Sequence, residues 1–245
     1  MLSQQYSLYT PEDQQTWSAL YLRQYEAVHQ FASKKFLAGM QKLHFSEGKI
    51  PDFEAINKQL LPLNGWQVYA VPGLIDNKYF FEQLQQKKFG ATYWIRKPAQ
   101  MDYLEEPDMF HDVFGHVPML AEPYFTDYLQ KLAAIASKYI NNVAVVEAIA
   151  RLYWYTVEFG LIWEEGKLKI YGAGILSSIA ETQYCYSNVP QLLPFNLANI
   201  VNTPYIKDSF QKQYFVLTSL AQLTNSVAEL AAYIEAHLTE MLVVG

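Results

Sequence analysis

Apolar residues recur with helical spacing along most of this chain. The first such stretch, "YTPEDQQTWSALYLRQYEAVHQFASKKFLAGMQKL", opens with Thr10 as a candidate N-cap, Pro11 at the first helical position and acidic residues in the first turn. The helical periodicity continues to about Leu43. The pattern therefore predicts one long amphipathic helix at the start of the chain.

Shorter helices and strands follow. One helix is predicted in "PDFEAINKQLL", stopped by Pro62 and Gly65, and a second in "DNKYFFEQLQQKKFG", between Asp76 as N-cap and Gly90 as terminator. Each helix is followed by a stretch typical of a short β-strand, "WQVYAVPG" after the first and "ATYWIR" after the second.

From Pro107 onward the pattern is again mainly helical, in "EPYFTDYLQKLAAIASKYI", "VAVVEAIARLYWYTVEFGLI", "SSIAETQYCYS" and "SVAELAAYIEAHLTEML". A hairpin is predicted in "LIWEEGKLKIYG", turning at Glu165 and Gly166. No repeat, low-complexity tract or linker divides the chain. We therefore expect residues 1–245 to form a single domain of the mainly α (α+β) class, with many helices and short β-strands.

The composition indicates which kinds of binding partner and which cellular compartment to expect. The 245 residues carry a net charge of −6 without a long basic run, so neither nucleic acid nor a membrane is an expected partner. Cys185 is the single cysteine, which excludes an intrachain disulfide and is usual in a reducing compartment. No apolar stretch of about 18 residues and no secretory leader occurs. We expect a cytoplasmic protein acting on small molecules, and a monomer, because the final helix is short for a coiled coil.

Candidate chemistry begins with "PDMFHDVFGHVP", where His111 and His116 stand five positions apart. Residues with this spacing project about 140° apart on an α-helix, so the two imidazoles could not share a metal in mid-helix. Gly115 tolerates unusual backbone angles, and Val117 precedes a proline, which disfavours the α conformation. We therefore expect the helix to end near Gly115 and His116 to turn inward. Two hydrogen-bonded core histidines are the alternative.

A third ligand is sought among carboxylates. The stretch "VAVVEAIARLYWYTVEFGLI" is apolar nearly all round, which is typical of a buried helix. Glu147 and Arg151 form an i, i+4 pair within it, whereas Glu158 has no basic residue one turn away. A carboxylate between Val157 and Phe159 must be solvated, protonated or bound to a metal. Two histidines and one carboxylate can hold either zinc, as in a hydrolase, or ferrous iron, and ligand type does not choose between the two.

Three motifs in this order, "EPDMFHDVFGHVP", "YWYTVEFGL" and "YGAGILSSIAETQYC", resemble the catalytic domain of the pterin-dependent aromatic amino acid hydroxylases. The likeness is closest to the single-domain bacterial phenylalanine 4-hydroxylases and covers roughly residues 65 to 215. We expect no counterpart here of the regulatory domain that precedes the catalytic domain in animal members.

The resemblance implies three groups of site residues. The iron ligands are His111, His116 and Glu158. The pterin-binding residues are Gly73, Leu74, Ile75, Phe80, Asp112, Ala150 and Tyr153, with Phe80 stacked on the pterin ring. The substrate-binding residues are Arg96, Tyr103, Pro107, Trp154, Phe159, Gly172 and Ser177, with Arg96 holding the substrate carboxylate. Support for the histidines is expected from Asp108 or Glu181. Animal members carry glutamate and threonine at the positions of Asp112 and Leu104.

The implied reaction is hydroxylation of the ring of L-phenylalanine to L-tyrosine, a step of phenylalanine catabolism. Fe(II) and tetrahydropterin, as tetrahydrobiopterin or a related pterin, would together cleave dioxygen and give a high-valent iron-oxo species. Tyrosine or tryptophan as the substrate stays an alternative, because rejecting one hydroxyl in an apolar pocket is worth only about 1–3 kcal/mol. A zinc hydrolase with the same ligands is a second possibility, and a pterin- or amino-acid-binding protein without activity is a third.

Overall fold

The computed structural model describes residues 2–102, 106–207 and 209–243. Helices dominate these residues, and the α-helices are α1 (Pro11–Phe31), α2 (Lys34–Lys42), α3 (Phe53–Asn64), α4 (Asn77–Gln85), α5 (Pro123–Lys138), α6 (Val143–Tyr153), α7 (Ala173–Leu176), α8 (Ile179–Cys185), α9 (Leu197–Asn202) and α10 (Ala221–Val243). Two π-helices lie at Phe110–His116 and Trp154–Glu158, and 3-10 turns at Tyr6–Leu8, Pro98–Gln100 and Val117–Ala121.

Two small sheets complete the architecture. The first joins β1 (Gln67–Val71) and β2 (Lys88–Thr92) in parallel. The second has the strand order β4-β3-β6-β5 and contains β3 (Leu161–Glu164), β4 (Lys167–Ile170), β5 (Gln191–Pro194) and β6 (Gln213–Leu217). The predicted class, mainly α with short strands, is confirmed. Among the described helices, none combines the length and the apolar character that a membrane span requires.

The predicted first helix is two helices. Its start is as expected, with Thr10 and Asp13 forming a capping box, but the chain leaves the α conformation at Ala32 and restarts at Ser33, whose side chain accepts from Phe36 N. The backbone N–H of Ser33 donates to Ile170 O of β4 at 2.7 Å. The break therefore serves a backbone pairing with a distant strand, which helical periodicity does not reveal.

The predicted end of α4 is also wrong. The helix stops at Gln85, and Gly90 lies inside β2 rather than at a helix end, so this strand begins three residues before the predicted "ATYWIR". A Cβ on Gly90 would lie 3.0 Å from Tyr69 Oη on β1. Gly90 thus serves close side-chain packing between two strands.

The hairpin is as predicted, whereas α3 ends at Gly65 as expected but is not stopped by Pro62. Glu165 and Gly166 both have positive φ, 51° and 74°, as a tight hairpin turn requires. Gly65 caps α3 in the left-handed conformation, while Pro62 is accommodated inside that helix. Strands β5 and β6 are additions that the sequence pattern did not predict.

The core holds the first π-helix against α1. Phe110 and Phe114 stack with ring centroids 4.5 Å apart, and Trp17 of α1 packs edge-on against Phe110 at 5.5 Å. All three side chains are fully buried. One side of the π-helix is thereby fixed in the core, and its histidines lie on another side.

Candidate metal centre and substrate pocket

The wide turn of a π-helix brings the two histidines together. The segment from Phe110 to His116 continues in π geometry, whose i→i+5 hydrogen bonds stack residues five apart. The expectation that the helix ends at Gly115 is therefore wrong, and Val117 keeps α-type angles (φ −61°, ψ −35°) although it precedes Pro118. A Cβ on Gly115 would lie 3.0 Å from both Cβ and O of Ala173, so the glycine permits close packing of α7.

Three side chains converge on one point. The Nε2 atoms of His111 and His116 are 3.3 Å apart. Glu158, the last residue of the second π-helix, places Oε1 at 3.2 Å from His116 Nε2 and Oε2 at 3.5 Å from His111 Nε2. Ligand atoms about 2.1 Å from one divalent metal are roughly 3.0–3.4 Å apart for octahedral or tetrahedral angles. The donor set and its spacing therefore fit a metal ion.

The tautomer of His111 is fixed by a single hydroxyl proton. Ser177 Oγ donates to Ala173 O at 2.8 Å, so the same oxygen must accept from His111 Nδ1 at 2.9 Å. With its proton on Nδ1, His111 presents the lone pair of Nε2 to the shared point. His116 Nδ1 is buried and has no hydrogen-bond partner within the described part of the chain.

Charge pairing makes the buried cluster possible. Burial alone would lower the pKa of His116, but the Glu158 carboxylate, followed by Asp112, raises it overall. Burial would raise the pKa of Glu158, but His116 and then His111 lower it overall. The carboxylate is therefore kept anionic among apolar neighbours, as a metal ligand must be.

A second carboxylate stands beside this set. Asp112 lies within 4.8 Å of donor atoms of both histidines. Its Oδ2 accepts from Thr92 N and Thr92 Oγ1, both at 2.8 Å, and burial raises the pKa of the carboxyl. Thr92 already occupies one oxygen of Asp112, whereas Glu158 contacts both Nε2 atoms, so Glu158 is the better placed of the two carboxylates to complete a metal site.

Among the predicted pterin residues, Tyr153 lies near Glu158 and Asp112, and Phe80 contacts Tyr153. The rings of Phe80 and Tyr153 meet edge to face, with centroids 5.7 Å apart. Burial, followed by the charges of Glu158 and Asp112, raises the pKa of Tyr153 far above its usual range. Ala150 lies one turn earlier on α6.

The loop before α4 borders a large cavity beside the metal centre. Leu74, 77% exposed, lines this cavity together with Glu158. A Cβ on Gly73 would lie 3.8 Å from Glu106, which lines the same cavity, and Ile75 is half-buried in the loop. This places the predicted pterin loop at the cavity wall.

The cavity has a volume of about 720 Å³. Most predicted substrate residues line it together with His111 and Glu158: Arg96, Pro107, Trp154, Phe159 and Ser177. Gly172 lies behind Glu158 instead, where a Cβ would come within 2.5 Å of Glu158 O. Tyr103 and Leu104 lie outside the described residues.

Arg96 is held by a buried carboxylate. Its Nε donates to Asp108 Oδ2 and its Nη2 to Asp108 Oδ1, both at 2.8 Å, in a bidentate pair. Asp108 Oδ1 also accepts from the backbone N of His111 at 3.1 Å. Burial would raise the pKa of Asp108, but Arg96 lowers it overall. Asp108 thus supports His111 through its backbone, while Ser177 supports the ring.

An aromatic wall continues from Trp154. Its ring lies 4.8 Å from that of Phe159 and stacks at 4.5 Å on Tyr205. Trp154 Nε1 donates to the buried Gln211 Oε1 at 3.1 Å. Sequence motifs did not identify Thr92, Tyr205 or Gln211. Tyr205 and Gln211 come from segments with no recognisable motif, and Thr92 lies in the predicted strand "ATYWIR", where nothing in the sequence points to its contact with Asp112.

Glu181, expected as a candidate partner of the histidines, makes no hydrogen bond to either of them among the described residues. It lines the cavity, and its Oε1 accepts from Tyr214 Oη at 2.5 Å. The Nδ1 atom of His111 is instead hydrogen-bonded to Ser177 Oγ.

Comparison with known proteins identifies a family to which this chain is similar. The family model described as biopterin-dependent aromatic amino acid hydroxylase matches residues 5–241. Phenylalanine-4-hydroxylase of Chromobacterium violaceum is 45% identical over 228 residues, which are 93% of this chain and 76% of that protein. The corresponding protein of Ralstonia nicotianae is 45% identical over 88% of this chain and 69% of its own.

The fold is also similar to that of a solved structure. The crystal structure of Chromobacterium violaceum phenylalanine hydroxylase with iron(III) and 7,8-dihydrobiopterin superposes with a TM-score of 0.90. It is 44% identical to this chain, and the match covers 96% of this chain and 86% of the other.

Proposed function

Because the chain belongs to the biopterin-dependent aromatic amino acid hydroxylase family, we propose that it is a phenylalanine 4-monooxygenase, which converts L-phenylalanine to L-tyrosine with ferrous iron, tetrahydropterin and dioxygen. The convergence of His111, His116 and Glu158 at the wall of a cavity that also contains Arg96 carries this proposal. The bacterial relatives named phenylalanine-4-hydroxylase support phenylalanine as the substrate.

The three ligands would hold iron on one face and leave its other positions open. Bound iron and reduced pterin supply the electrons that dioxygen needs before it can react with a closed-shell aromatic ring. Zinc, which the ligand set could also bind, has no redox chemistry. The protein's own part is to keep Glu158 anionic and to hold the two Nε2 lone pairs in place.

On the pterin side, Phe80 would stack on the flat ring system, with Tyr153 closing the pocket. The contact of Phe80 with Tyr153 supports this arrangement. Thr92 holds one oxygen of Asp112, which leaves Oδ1 for the cofactor or for a bridging water. The shorter side chain at this position is therefore compatible with cofactor binding.

On the substrate side, Arg96 would bind the carboxylate of the amino acid. Its bidentate pair with Asp108 fixes the guanidinium plane before the substrate arrives, which lowers the entropic cost of orientation. Trp154 and Phe159 supply an apolar wall that excludes water from the ring. The hydroxyl of Ser177 is committed to His111 and Ala173, so we assign it to positioning His111.

The test is reconstitution of the protein with ferrous iron, tetrahydropterin and each aromatic amino acid under air. The proposal expects tyrosine from phenylalanine, with pterin oxidation and oxygen uptake in step. Absence of tyrosine in a protein that binds iron would contradict it. Faster hydroxylation of tyrosine or tryptophan would keep the reaction and change the substrate.

We also infer that the chain works as a single catalytic domain, as a monomer and in the cytoplasm. One hydrophobic core that draws on α1 through α10 supports the first point, and the free, buried Cys185 is compatible with a reducing compartment. Light scattering after size-exclusion chromatography tests the monomer, which has a mass of 28.3 kDa.

A further inference from the structure

One anionic side chain of the cavity lacks a cationic partner. Glu181 lines the same cavity as Arg96 and is only 7% exposed. Across the residues that the structure describes, no lysine, arginine or histidine nitrogen comes within 4.0 Å of its carboxylate. A buried carboxylate in this position is costly unless a positive group approaches it.

The other charged groups that line the cavity are paired, contact an aromatic ring or are exposed to water. Arg96 pairs with Asp108, Arg23 pairs with Asp102 at 2.6 Å, and Glu158 faces the two histidines. The Nζ of Lys207 lies 5.7 Å from the centre of the Tyr205 ring. The remaining acids of the lining, Asp102 and Glu106, are exposed, so water screens their charge.

A neutral donor holds the Glu181 carboxylate in place. Tyr214 Oη donates to Oε1. Burial raises the pKa of Glu181, and the hydrogen bond from Tyr214 offsets only part of the rise. The hydroxyl orients the carboxylate but supplies no positive charge.

An amino acid brings the missing charge. Phenylalanine enters as a zwitterion, and Arg96 accounts only for its carboxylate. Its ammonium group loses its hydration on entering the cavity and needs an anionic acceptor there. Glu181, oriented and without a cation of its own, matches this need.

We propose that Glu181 binds the ammonium group of the amino acid substrate, an inference that rests on the proposed function. Arg96 and Glu181 then recognise the two ends of the zwitterion, while Trp154 and Phe159 contact the ring. The cavity therefore selects aromatic α-amino acids over aromatic acids of the same shape that lack the amino group, such as 3-phenylpropionate.

The test compares these two ligands in the iron- and pterin-loaded enzyme. Glu181→Gln keeps the size of the side chain and an acceptor for Tyr214 but removes the charge. We expect its KM for L-phenylalanine to rise about 10- to 100-fold, the range for losing a hydrogen bond between charged groups. Its kcat and its inhibition constant for 3-phenylpropionate should stay within about threefold of the wild type.

Two further variants serve as controls. Glu181→Asp keeps the charge, so it should retain most of the preference for phenylalanine over 3-phenylpropionate. Glu229→Gln removes one charge from the exposed face of α10 and should leave both ligands unaffected.

The results distinguish a wrong assignment of Glu181 from a wrong proposed function. An unchanged KM in Glu181→Gln, or an equal loss of affinity for both ligands, would overturn the assignment of Glu181, since a purely structural role affects both alike. If the wild type forms no tyrosine, the proposed function itself fails. Selective loss of phenylalanine affinity supports the proposal.

Discussion

At the residue scale, the tautomer of His111 depends on one serine. Ser177 donates its only proton to Ala173 O and therefore accepts from His111 Nδ1. The sequence resemblance placed Ser177 at the substrate, but a motif does not show which way a hydroxyl donates. The direction in which Ser177 donates follows only from the positions of His111 and Ala173 in the structure.

Replacing Ser177 with alanine removes the acceptor for Nδ1–H and leaves the His111 ring free to turn. We expect Ser177→Ala to bind ferrous iron about 10- to 100-fold more weakly, as is usual when a partner of a metal-bound histidine is lost. Titration of the metal-free protein with iron measures this. Ser187→Ala, an exposed serine, is the control, and equal affinity in both variants would rule out the role given to Ser177.

Asp108 contributes to stability as well as to orientation. Asp108→Asn breaks a buried charge pair, and we expect it to lower the free energy of unfolding at pH 7 by about 3–5 kcal/mol. Arg96 lowers the pKa of Asp108 in the folded state, so the stabilisation is complete above the ordinary aspartate pKa of about 3.9. It is lost as the pH falls through the lower, folded value.

Urea unfolding of wild type and Asp108→Asn as a function of pH checks both parts. The difference in unfolding free energy should be full at pH 5–7 and shrink below about pH 4. A difference that grows on acidification would contradict the assignment of an ionised Asp108.

At the element scale, the five-residue spacing of the histidines is explained by a π-helix rather than by a helix end. The structure brings the three predicted ligands together, and Glu158 had drawn attention in the sequence because it has no ionic partner on an apolar helix. The backbone that joins them could not be predicted, because π geometry depends on packing of Phe110 and Phe114 against α1. The break at Ala32 could not be predicted either, because it depends on the pairing of Ser33 with the distant Ile170.

Gly115 sets how closely the first π-helix approaches α7. A Cβ there would lie 3.0 Å from Ala173 Cβ and O, so Gly115→Ala should push α7 away and shift Ser177 with it. We expect a loss of about 1–3 kcal/mol in unfolding free energy, together with weaker iron binding. Denaturant titration and iron titration measure the two effects.

Gly48→Ala is the matched control, since a Cβ at Gly48 meets no atom within 4 Å. It should leave both quantities unchanged. Iron affinity in Gly115→Ala equal to that of Gly48→Ala would show that the π-helix and α7 do not act together.

At the scale of the whole molecule, the cavity is assembled from separate parts of the chain. Arg96 follows β2, Trp154 starts the second π-helix, and Ser177 follows α7. Motifs located these residues because each belongs to a recognisable run. Tyr205 and Gln211 contact Trp154 from segments without such runs, so only the tertiary structure identifies them.

The central claim is that His111, His116 and Glu158 hold the iron on which hydroxylation depends. The most direct measurement determines bound iron and the rate of tyrosine formation side by side in wild type and Glu158→Ala. The account predicts that the variant loses both together, while Glu229→Gln loses neither. A Glu158→Ala protein that is loaded with iron and hydroxylates phenylalanine at the wild-type rate would contradict it.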